Sequence, residues 1–599
     1  MVVLSFQIEF QPSGIRLLCP EPLTLLDAAR QAGIPLRADC GGKGMCGKCR
    51  VQVLEDHETY HYSEAEIKHL NTEEREQGFH LACELVADRE IKIYVASEAL
   101  SEEQIIQIEG VQRIVEQDAA VRQQVITLSA ANLHDLQSDY SRAKQTAGLP
   151  NLQIQLQTLR KLPSLIRSND WQFNLVTRDD AVIHISEKPF AQLLGLAVDV
   201  GSTKIACYLM DLENGALLAA EGTPNSQIAY GEDIMARLAF AMQGPEDAQK
   251  LHVLVADAVN QTSLELCRQI DRTPDEIADL CLVGNTAMHH FFLNLPTGTL
   301  AVSPFTPVIS DALYADANQI GLNAMPGAGV YAPAVIAGFV GSDHLAFLYS
   351  CGFGQQDATR LGIDIGTNTE IALQKGDRIV SVSTASGPAF EGAHIKFGMR
   401  AAPGAIEHVR IDQNGSTQVD VIGGQTPVGI CGSGILDAVA ELRTAGILNK
   451  RGRLKKGLPY IRLDAERVPY FTLAVGEKEI TLSQHDVDQI LLAKGAIRAG
   501  IDVLMDALNV TTEEIEEVVI AGAFGSYMLP EQAVRLGLLP DIPLERVRAV
   551  GNAAGSGARM MLASQQARVQ SEALAQRIEY LELTVYPDFP MFYARGISA

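Results

Sequence analysis

The chain is expected to be a multidomain α/β and α+β protein, and three observations lead there. Its 599 residues exceed what a single hydrophobic core organises, so several domains should share the chain. Three cysteines crowd a glycine-rich loop within the first 95 residues. A strand-like run ending in Asp-Xaa-Gly-Ser/Thr occurs twice, at 199–202 and 364–367, which points to a duplicated unit.

Composition narrows the partners before any motif is read. At 47% hydrophobic and 20% charged, the chain is globular rather than disordered. A formal net charge of −25, from 73 acidic and 48 basic side chains, repels phosphate backbones and anionic lipid, so no nucleic acid or membrane partner is expected. The short basic stretches, Arg160-Lys161 and Arg451 to Lys456, read as solvated loop or helix faces. MVVLSFQIEF has no basic leader and alternates like a strand. The apolar run Ala332 to Val340 meets Gly341, Ser342, Asp343 and His344 well short of membrane-spanning length. A cytoplasmic location is therefore expected, where a reducing environment keeps the ten cysteines free for metal.

Residues 1–95 form the first expected domain. Val2 to Phe10 alternates, Pro12-Ser13-Gly14 turns the chain, and Ile15 to Leu18 returns as the second strand of a hairpin. Leu23 to Ala32 reads as a helix, with Thr24 as cap and Leu25, Leu26, Ala28 and Ala29 as its apolar stripe. In ADCGGKGMCGKCRVQV, Cys40 and Cys46 enclose five residues and Cys49 follows after two more. Three thiolates so placed suit zinc or an iron–sulfur cluster, since both want soft tetrahedral sulfur. Gly41, Gly42, Gly44 and Gly47 let the backbone turn tightly and bring amides to sulfide. Cys83, in FHLACELVA, supplies a fourth ligand from another element, where a zinc ribbon more often offers a second C-x2-C pair. These features favour a [2Fe–2S] cluster on Cys40, Cys46, Cys49 and Cys83. Cys19, on a predicted strand, reads as a buried small hydrophobe. The segment resembles the [2Fe–2S] ferredoxins, which implies a ferredoxin-type β-grasp fold. It departs from the plant pattern in having five residues, not four, between the first two ligands.

Residues 96–124 are expected to be a linker, with a charged, glutamine-rich helical stretch from Ser101 through Gln124 and Glu102 and Glu103 in its first turn. Residues 125–194 read as a small α+β domain: strand, helix, an irregular polar stretch, then strand at FNLVTRDDAVIHIS. No chemistry singles itself out there, and a docking or spacer role is the plain reading.

Residues 195–599 carry the duplication. Leu196-Ala197-Val198 leads into DVGSTK, a strand, the turn Glu213-Asn214-Gly215 and another strand. Leu361-Gly362-Ile363 leads likewise into DIGTNTE, with Lys375-Gly376-Asp377 as the turn. Each motif sets a carboxylate at a strand end before a Gly–hydroxyl turn. Donors of Gly201, Ser202, Thr203 and Lys204, and of Gly366, Thr367 and Asn368, can clamp phosphate oxygens, while Asp199 and Asp364 can hold Mg2+ directly or through water. One such motif is weak; two at matching places point to paired nucleotide-phosphate loops. CLVGNTAMHHFF and VVIAGAFGSYM each read as strand, Gly turn and helix, and PVGICGSGILDAV adds donors from Gly432, Ser433 and Gly434 at a helix N-terminus. No G-x-x-x-x-G-K-[ST] loop occurs, so this is not a P-loop ATPase. Adjacent His289 and His290 do not share one helix face and read as a structural pair; Cys431, Cys207, Cys267, Cys281 and Cys351 form no second cluster motif.

This duplicated arrangement resembles the actin-like ATPase superfamily, which includes sugar kinases, acetate kinase and the heat-shock chaperones. The resemblance implies two related α/β lobes with ATP and Mg2+ in the cleft. Asp199 matches the first phosphate loop, Asp364 the second, and Gly522, Ala523, Phe524 and Gly525 the adenosine region. Glu370 joins Asp199 and Asp364 as an expected catalytic residue, although Glu370, Asp343 and Glu391 are all candidates for activating water and each could equally be a surface carboxylate.

A one-electron carrier joined to an ATPase needs an energetic reason, because about 59 mV changes a one-electron equilibrium tenfold and only an uphill transfer calls for ATP. The whole organisation resembles the reductive activators of corrinoid proteins. That resemblance implies ATP-coupled reduction of Co(II) to Co(I), a corrinoid-protein partner of a methyltransferase system, a homodimer through the actin-like domain, and an anaerobic cytoplasm. Three other readings share parts of the pattern: an ATP-coupled electron donor to another low-potential metalloenzyme, a redox-regulated small-molecule kinase, and an actin-like assembly or chaperone protein with a sensing cluster. The ligand loop, suited to repeated electron transfer, weighs against the last two.

Overall fold

The computed structural model describes residues 6–11, 15–32, 34, 36, 38, 40, 42–54, 57–95, 110, 113, 115–231, 233–392, 394–399, 401–476, 478–522, 525 and 528–598. Near the N-terminus, alternation builds the hairpin: β1 (Phe6–Gln11) pairs antiparallel with β2 (Ile15–Cys19), Phe6 opposite Cys19. The intervening Pro12-Ser13-Gly14 lies outside the described residues. Helix α1 (Leu25–Gln31) begins where the Thr24 hydroxyl accepts the Asp27 amide, and it buries Leu25, Leu26, Ala28 and Ala29. β3 (Arg50–Val53), β4 (Phe79–Leu81) and β5 (Ile91–Tyr94) complete a sheet of order β2-β1-β5-β3-β4, with β5 parallel to β1. Ile8, Phe10, Val51, Val53, Ile91 and Ile93 project into the core that α1 covers, and Cys19 is buried among them as expected. This mixed sheet crossed by a helix is the ferredoxin-type fold.

The helix expected over 101–124 fails wherever the chain is described; residues 101–109 lie outside the description. Asp118 instead donates its amide to the Ala563 carbonyl at 3.0 Å and accepts from the Gln565 amide at 2.8 Å, and β6 (Val121–Thr127) starts directly after. Helix propensities differ by tenths of a kcal/mol per residue. Burial of Ala119, Ala120 and Val121, together with tertiary backbone hydrogen bonds, outweighs them here.

A second correction follows at once. After α2 (Asp139–Ala147), the stretch expected to be irregular contains α3 (Leu156–Ser168), although Pro163 lies inside it. An interior proline costs about 3 kcal/mol. Leu162 and Ile166, each worth about 1.5–3 kcal/mol when buried, face the sheet and offset it. That sheet orders β6, β7 (Gln172–Arg178) and β8 (Ala181–Ser186), with Gln153–Ile154 at the far edge.

Two lobes follow. In lobe one, β9 (Leu194–Val200), β10 (Lys204–Asp211), β11 (Leu217–Pro224), β12 (Ile277–Gly284), β13 (Leu313–Asp316) and β14 (Gly329–Ala332) form a sheet of order β11-β10-β9-β12-β14-β13. Helix α4 (Pro245–Gln269) covers one face, α5 (Thr286–Phe292) follows β12, and α6 (Ser342–Ser350) follows β14. In lobe two, β15 (Thr359–Ile365), β16 (Thr369–Lys375) and β17 (Arg378–Thr384) lead to α7 (Gly432–Thr444) and α8 (Gln484–Leu508). β18 (Glu517–Ala521), β19 (Val547–Ala549), α9 (Ala553–Ala563) and β20 (Ile578–Tyr580) follow, and the sheet order is β19-β18-β15-β16-β17-β20.

The five strands β11-β10-β9-β12-β14 therefore repeat as β17-β16-β15-β18-β19, with the same antiparallel hairpins and the same parallel neighbour to the first strand. Lobe two adds two small sheets built from 405–430 and 461–483. Helices α6 and α9, which follow the fifth strand of each lobe, cross where a Cβ on Gly557 would stand 2.3 Å from the Ala346 carbonyl oxygen. No helix among the described residues is long and apolar enough to cross a membrane.

Candidate functional site

The cysteine loop runs between α1 and β3, and its glycines permit it: Gly42, Gly44 and Gly47 have φ of 91°, 68° and 66°, a region costly to side chains. A Cβ on Gly44 would also come within 2.4 Å of the Glu84 carboxylate. The four thiols gather as two pairs. Cys49 Sγ lies 3.4 Å from Cys83 Sγ, and Cys40 shares a hydrogen bond with Cys46. That bond, with the Met45, Cys46 and Lys43 amides behind it, holds the Cys40 thiol well below its usual range. The Gly44 amide is directed at Cys83 and the Lys48 amide at Cys46.

Among the described residues no three His, Cys, Asp or Glu side chains close around one metal ion. Two thiol pairs ringed by amides instead fit a binuclear cluster in which each iron takes two thiolates. Cys83 is set by β4, whose Leu81 amide and His80 ring both bond to buried Glu66, at 3.0 and 2.9 Å. Glu66 carried no motif and was not visible in the sequence as part of the site; its capping box with Ser63 was the only signal.

The second site is the cleft between the lobes. Gly201, Ser202, Thr203 and Lys204 of the first turn line it, opposite Gly366, Thr367 and Asn368 of the second, with Asp199, Asp343, Asp364, Glu370 and Glu391 between them and Gly432, Ser433 and Gly522 alongside. Each turn is held from behind the third strand of its own lobe. The Thr203 carbonyl accepts the Asn225 amide at 2.9 Å, and the Thr367 carbonyl accepts the Gly387 amide at 3.0 Å. Asn225 Nδ2 also reaches the Gly201 carbonyl, while Ser386 reaches Gly366. With their carbonyls tied back, the turns present amides and hydroxyls to the cleft.

Four of the five cleft carboxyl groups have raised proton affinities. Burial raises Asp199 to about 6, partly relieved by Asn552 Nδ2, which donates to Asp199 Oδ2 at 2.8 Å. Burial, then repulsion from Asp199, raises Asp364 to about 7. Asp343 goes to about 8, through burial and then repulsion from Asp364 and Asp199. Glu370, only 9% exposed and bonded to Ser383 Oγ at 3.2 Å, is pushed well above the carboxylate range by burial and by Asp343 and Asp364. Such a cluster is what a divalent cation neutralises. None of the three water-activating candidates is a surface carboxylate.

Some expected residues sit elsewhere. Gly434 occupies the first turn of α7 but packs on the Ile406 carbonyl, where a Cβ would be 2.3 Å away. Gly525 packs on Ile520, and Ala523 and Phe524 lie outside the described residues. His290 is a structural residue: its Nδ1 bonds the Thr286 carbonyl and its Nε2 accepts the Val308 amide. Asn552 was missed by sequence reasoning. Its signal was the recurrence of Val-Gly-Asn at 283–285 and 550–552, each asparagine capping the helix that follows.

Comparison with known proteins adds the following. Residues 8–88 match the family described as 2Fe-2S iron-sulfur cluster binding domain, and residues 110–191 the RACo linker region. Residues 194–356 match the RACo middle region, and 358–598 the C-terminal domain of RACo, the ASKHA domain. The chain is 31% identical to the corrinoid activation enzyme RamQ of Eubacterium limosum, over 95% of this chain and 94% of that one. It is 27% identical to the [Co(II) methylated amine-specific corrinoid protein] reductase of Methanosarcina barkeri, over 68% of this chain and 77% of that one. Among solved structures, a reductive activator for corrinoid,iron-sulfur protein superposes with a TM-score of 0.73 at 31% identity, over 98% of this chain and 97% of the other.

Proposed function

We infer that this chain, which belongs to the RACo family of reductive activators of corrinoid proteins, carries out ATP-dependent one-electron reduction of a corrinoid protein, Co(II) to Co(I), returning it to methyl transfer. The observation that carries this reading is the union in one chain of a paired-thiol loop and a two-lobed acidic cleft. A [2Fe–2S] cluster on Cys40, Cys46, Cys49 and Cys83 supplies the one-electron capacity that no side chain has. The surrounding amides stabilise sulfur charge, and the chain brings that loop to its partner.

In the cleft, the two turns clamp the phosphates of ATP, with the N-terminus of α7 adding donors at Gly432 and Ser433. Asp199 and Asp364 face each other across the gap and are the residues to hold Mg2+. Gly522 borders the adenosine side. We assign water activation to Glu370: burial and the neighbouring Asp343 and Asp364 raise its proton affinity, and it projects from the strand beside Asp364. Coupling requires that nucleotide bind the partner-competent and partner-released states unequally, because equal binding shifts nothing. A homodimer through the two-lobed domain and a cytoplasmic setting belong to the same reading.

The test is anaerobic visible spectroscopy of a purified Co(II) corrinoid protein mixed with the reduced, cluster-loaded chain. The Co(I) band should appear with Mg–ATP and not without it. Absence of Co(I) in both, from protein that hydrolyses ATP, would send the electrons to another acceptor. Cys46→Ser should remove the cluster spectrum and the reduction while sparing ATP binding.

A further inference from the structure

Glu391 lies in the cleft and bonds to a hydroxyl of each turn. Its carboxylate accepts from Thr367 Oγ1 of lobe two at 2.6 Å and lies 3.4 Å from Thr203 Oγ1 of lobe one. A carboxylate thus occupies the hydroxyl donors that a phosphate would use, and it ties one lobe to the other.

The chain beyond Glu391 leads out of the cleft. His394, Lys396 and Phe397 wall a cavity whose opposite wall is Met45, Cys46 and Lys48 of the cysteine loop. The described residues of this segment are tied to lobe two. The Phe397 carbonyl accepts the Ile430 amide at 2.9 Å, the Lys396 amide donates to Asp486 Oδ1 at 2.8 Å, and a Cβ on Gly392 would meet the Met399 backbone at 2.7 Å. The cysteine-loop domain also reaches lobe one: the Arg30 guanidinium on α1 stacks 4.9 Å from the centre of the Tyr230 ring, four residues before Ile234, which lines the cleft. A folded domain held against lobe one by Arg30 and facing lobe two across that cavity keeps this arrangement at only one separation of the lobes.

We propose that the ferredoxin domain docks across the two lobes beside the nucleotide cleft, and that Glu391 is the latch holding the lobe arrangement this docking needs. Mg–ATP phosphates displace the Glu391 carboxylate from Thr203 and Thr367, the lobes readjust, the Arg30–Tyr230 contact is lost and the cavity between the cysteine loop and residues 394–397 opens. The cysteine loop is then free to face its protein partner. Glu391 is on this account a positioning residue, and the coupling runs through a two-state domain contact. The inference rests on the reading that nucleotide phosphates bind the two turns.

Hydrogen–deuterium exchange of the full, cluster-loaded chain tests it, with and without Mg2+ and the non-hydrolysable analogue AMP-PNP. Nucleotide should lower uptake at 201–204 and 366–368 and raise it at 45–50, 226–231 and 394–397. Glu391→Ala should show the raised uptake before nucleotide is added, with the turns still protected on its addition. Arg30→Ala, outside both sites, should release 226–231 with turn protection unchanged. Turn protection without any change at 45–50 and 394–397 overturns the latch. No protection of the turns in the unaltered chain overturns the nucleotide reading itself.

Discussion

The hairpins that open the two lobes have nearly the same backbone and different chemistry. In lobe one, Asp199 pairs across the strands with Ala206; in lobe two, Asp364 pairs with Glu370. Directly opposed residues share a sheet face, so a methyl group in one lobe stands where a carboxyl stands in the other. The connecting turns differ too: four residues, 201–204, separate the paired positions Val200 and Ile205, while three, 366–368, separate Ile365 and Thr369. The lone Asp199 is held by a neutral donor, Asn552, whereas Asp364 has a second acid beside it and Asp343 near by. The duplication carries two Gly–hydroxyl turns, and the difference at one cross-strand position sets an extra acid beside Asp364 in lobe two.

The largest effect expected from breaking this asymmetry is at Glu370. Glu370→Gln keeps size and hydrogen bonding to Ser383 but removes the base, and ATP hydrolysis should fall about 10²–10⁴-fold, the usual worth of general base catalysis. Phosphate release together with equilibrium nucleotide binding checks it; a drop in binding of equal size would make Glu370 a ligand instead. Next, Asp364→Asn should lower turnover more than Asp199→Asn, because Asp199 already shares its charge with an amide. Equal losses in a magnesium titration of both variants would mean that the lobes contribute symmetrically.

A smaller effect concerns pH. Asp199, Asp364 and Asp343 titrate near 6, 7 and 8 in the folded chain, above their unfolded values, so the native state binds more protons. The unliganded chain should therefore lose stability as pH rises from about 4, most steeply up to about 6 and levelling off above about 8, with Mg2+ opposing the loss. Thermal unfolding in chelator reads the slope, and Asp343→Asn should flatten it. The smallest change expected is Asn552→Ala, about 1 kcal/mol for the lost helix cap. Asn285→Ala removes the matching cap in lobe one and should cost a similar amount, without touching any carboxylate. A cost at Asn552 well above that at Asn285 would measure its bond to Asp199.

Much of this was legible beforehand because it rests on local chemistry. Glycines at positive φ, three cysteines in one loop and a strand-ending Asp before a Gly–hydroxyl turn each carry their meaning within a few residues. Cys83 was legible from the [2Fe–2S] pattern, though not its pairing with Cys49. The linker segment was misread because its charge and glutamine content favour a helix by tenths of a kcal/mol, whereas Ala563 and Gln565 offer it an extended partner. The stretch read as irregular and polar holds α3 for the same kind of reason: buried Leu162 and Ile166 sustain a helix that its polar residues and interior Pro163 do not favour locally.

By itself, the sequence marked out the candidates for binding iron, sulfur and phosphate, because those capacities belong to side-chain type and short-range spacing. Only the tertiary structure decided which acids meet. Glu370 comes to Asp364 through strand register, Asp343 arrives from the far end of lobe one, Asn552 from the far end of lobe two, and Glu391 spans both turns. Their proton affinities follow from burial and mutual repulsion, and both are properties of distance in the folded chain.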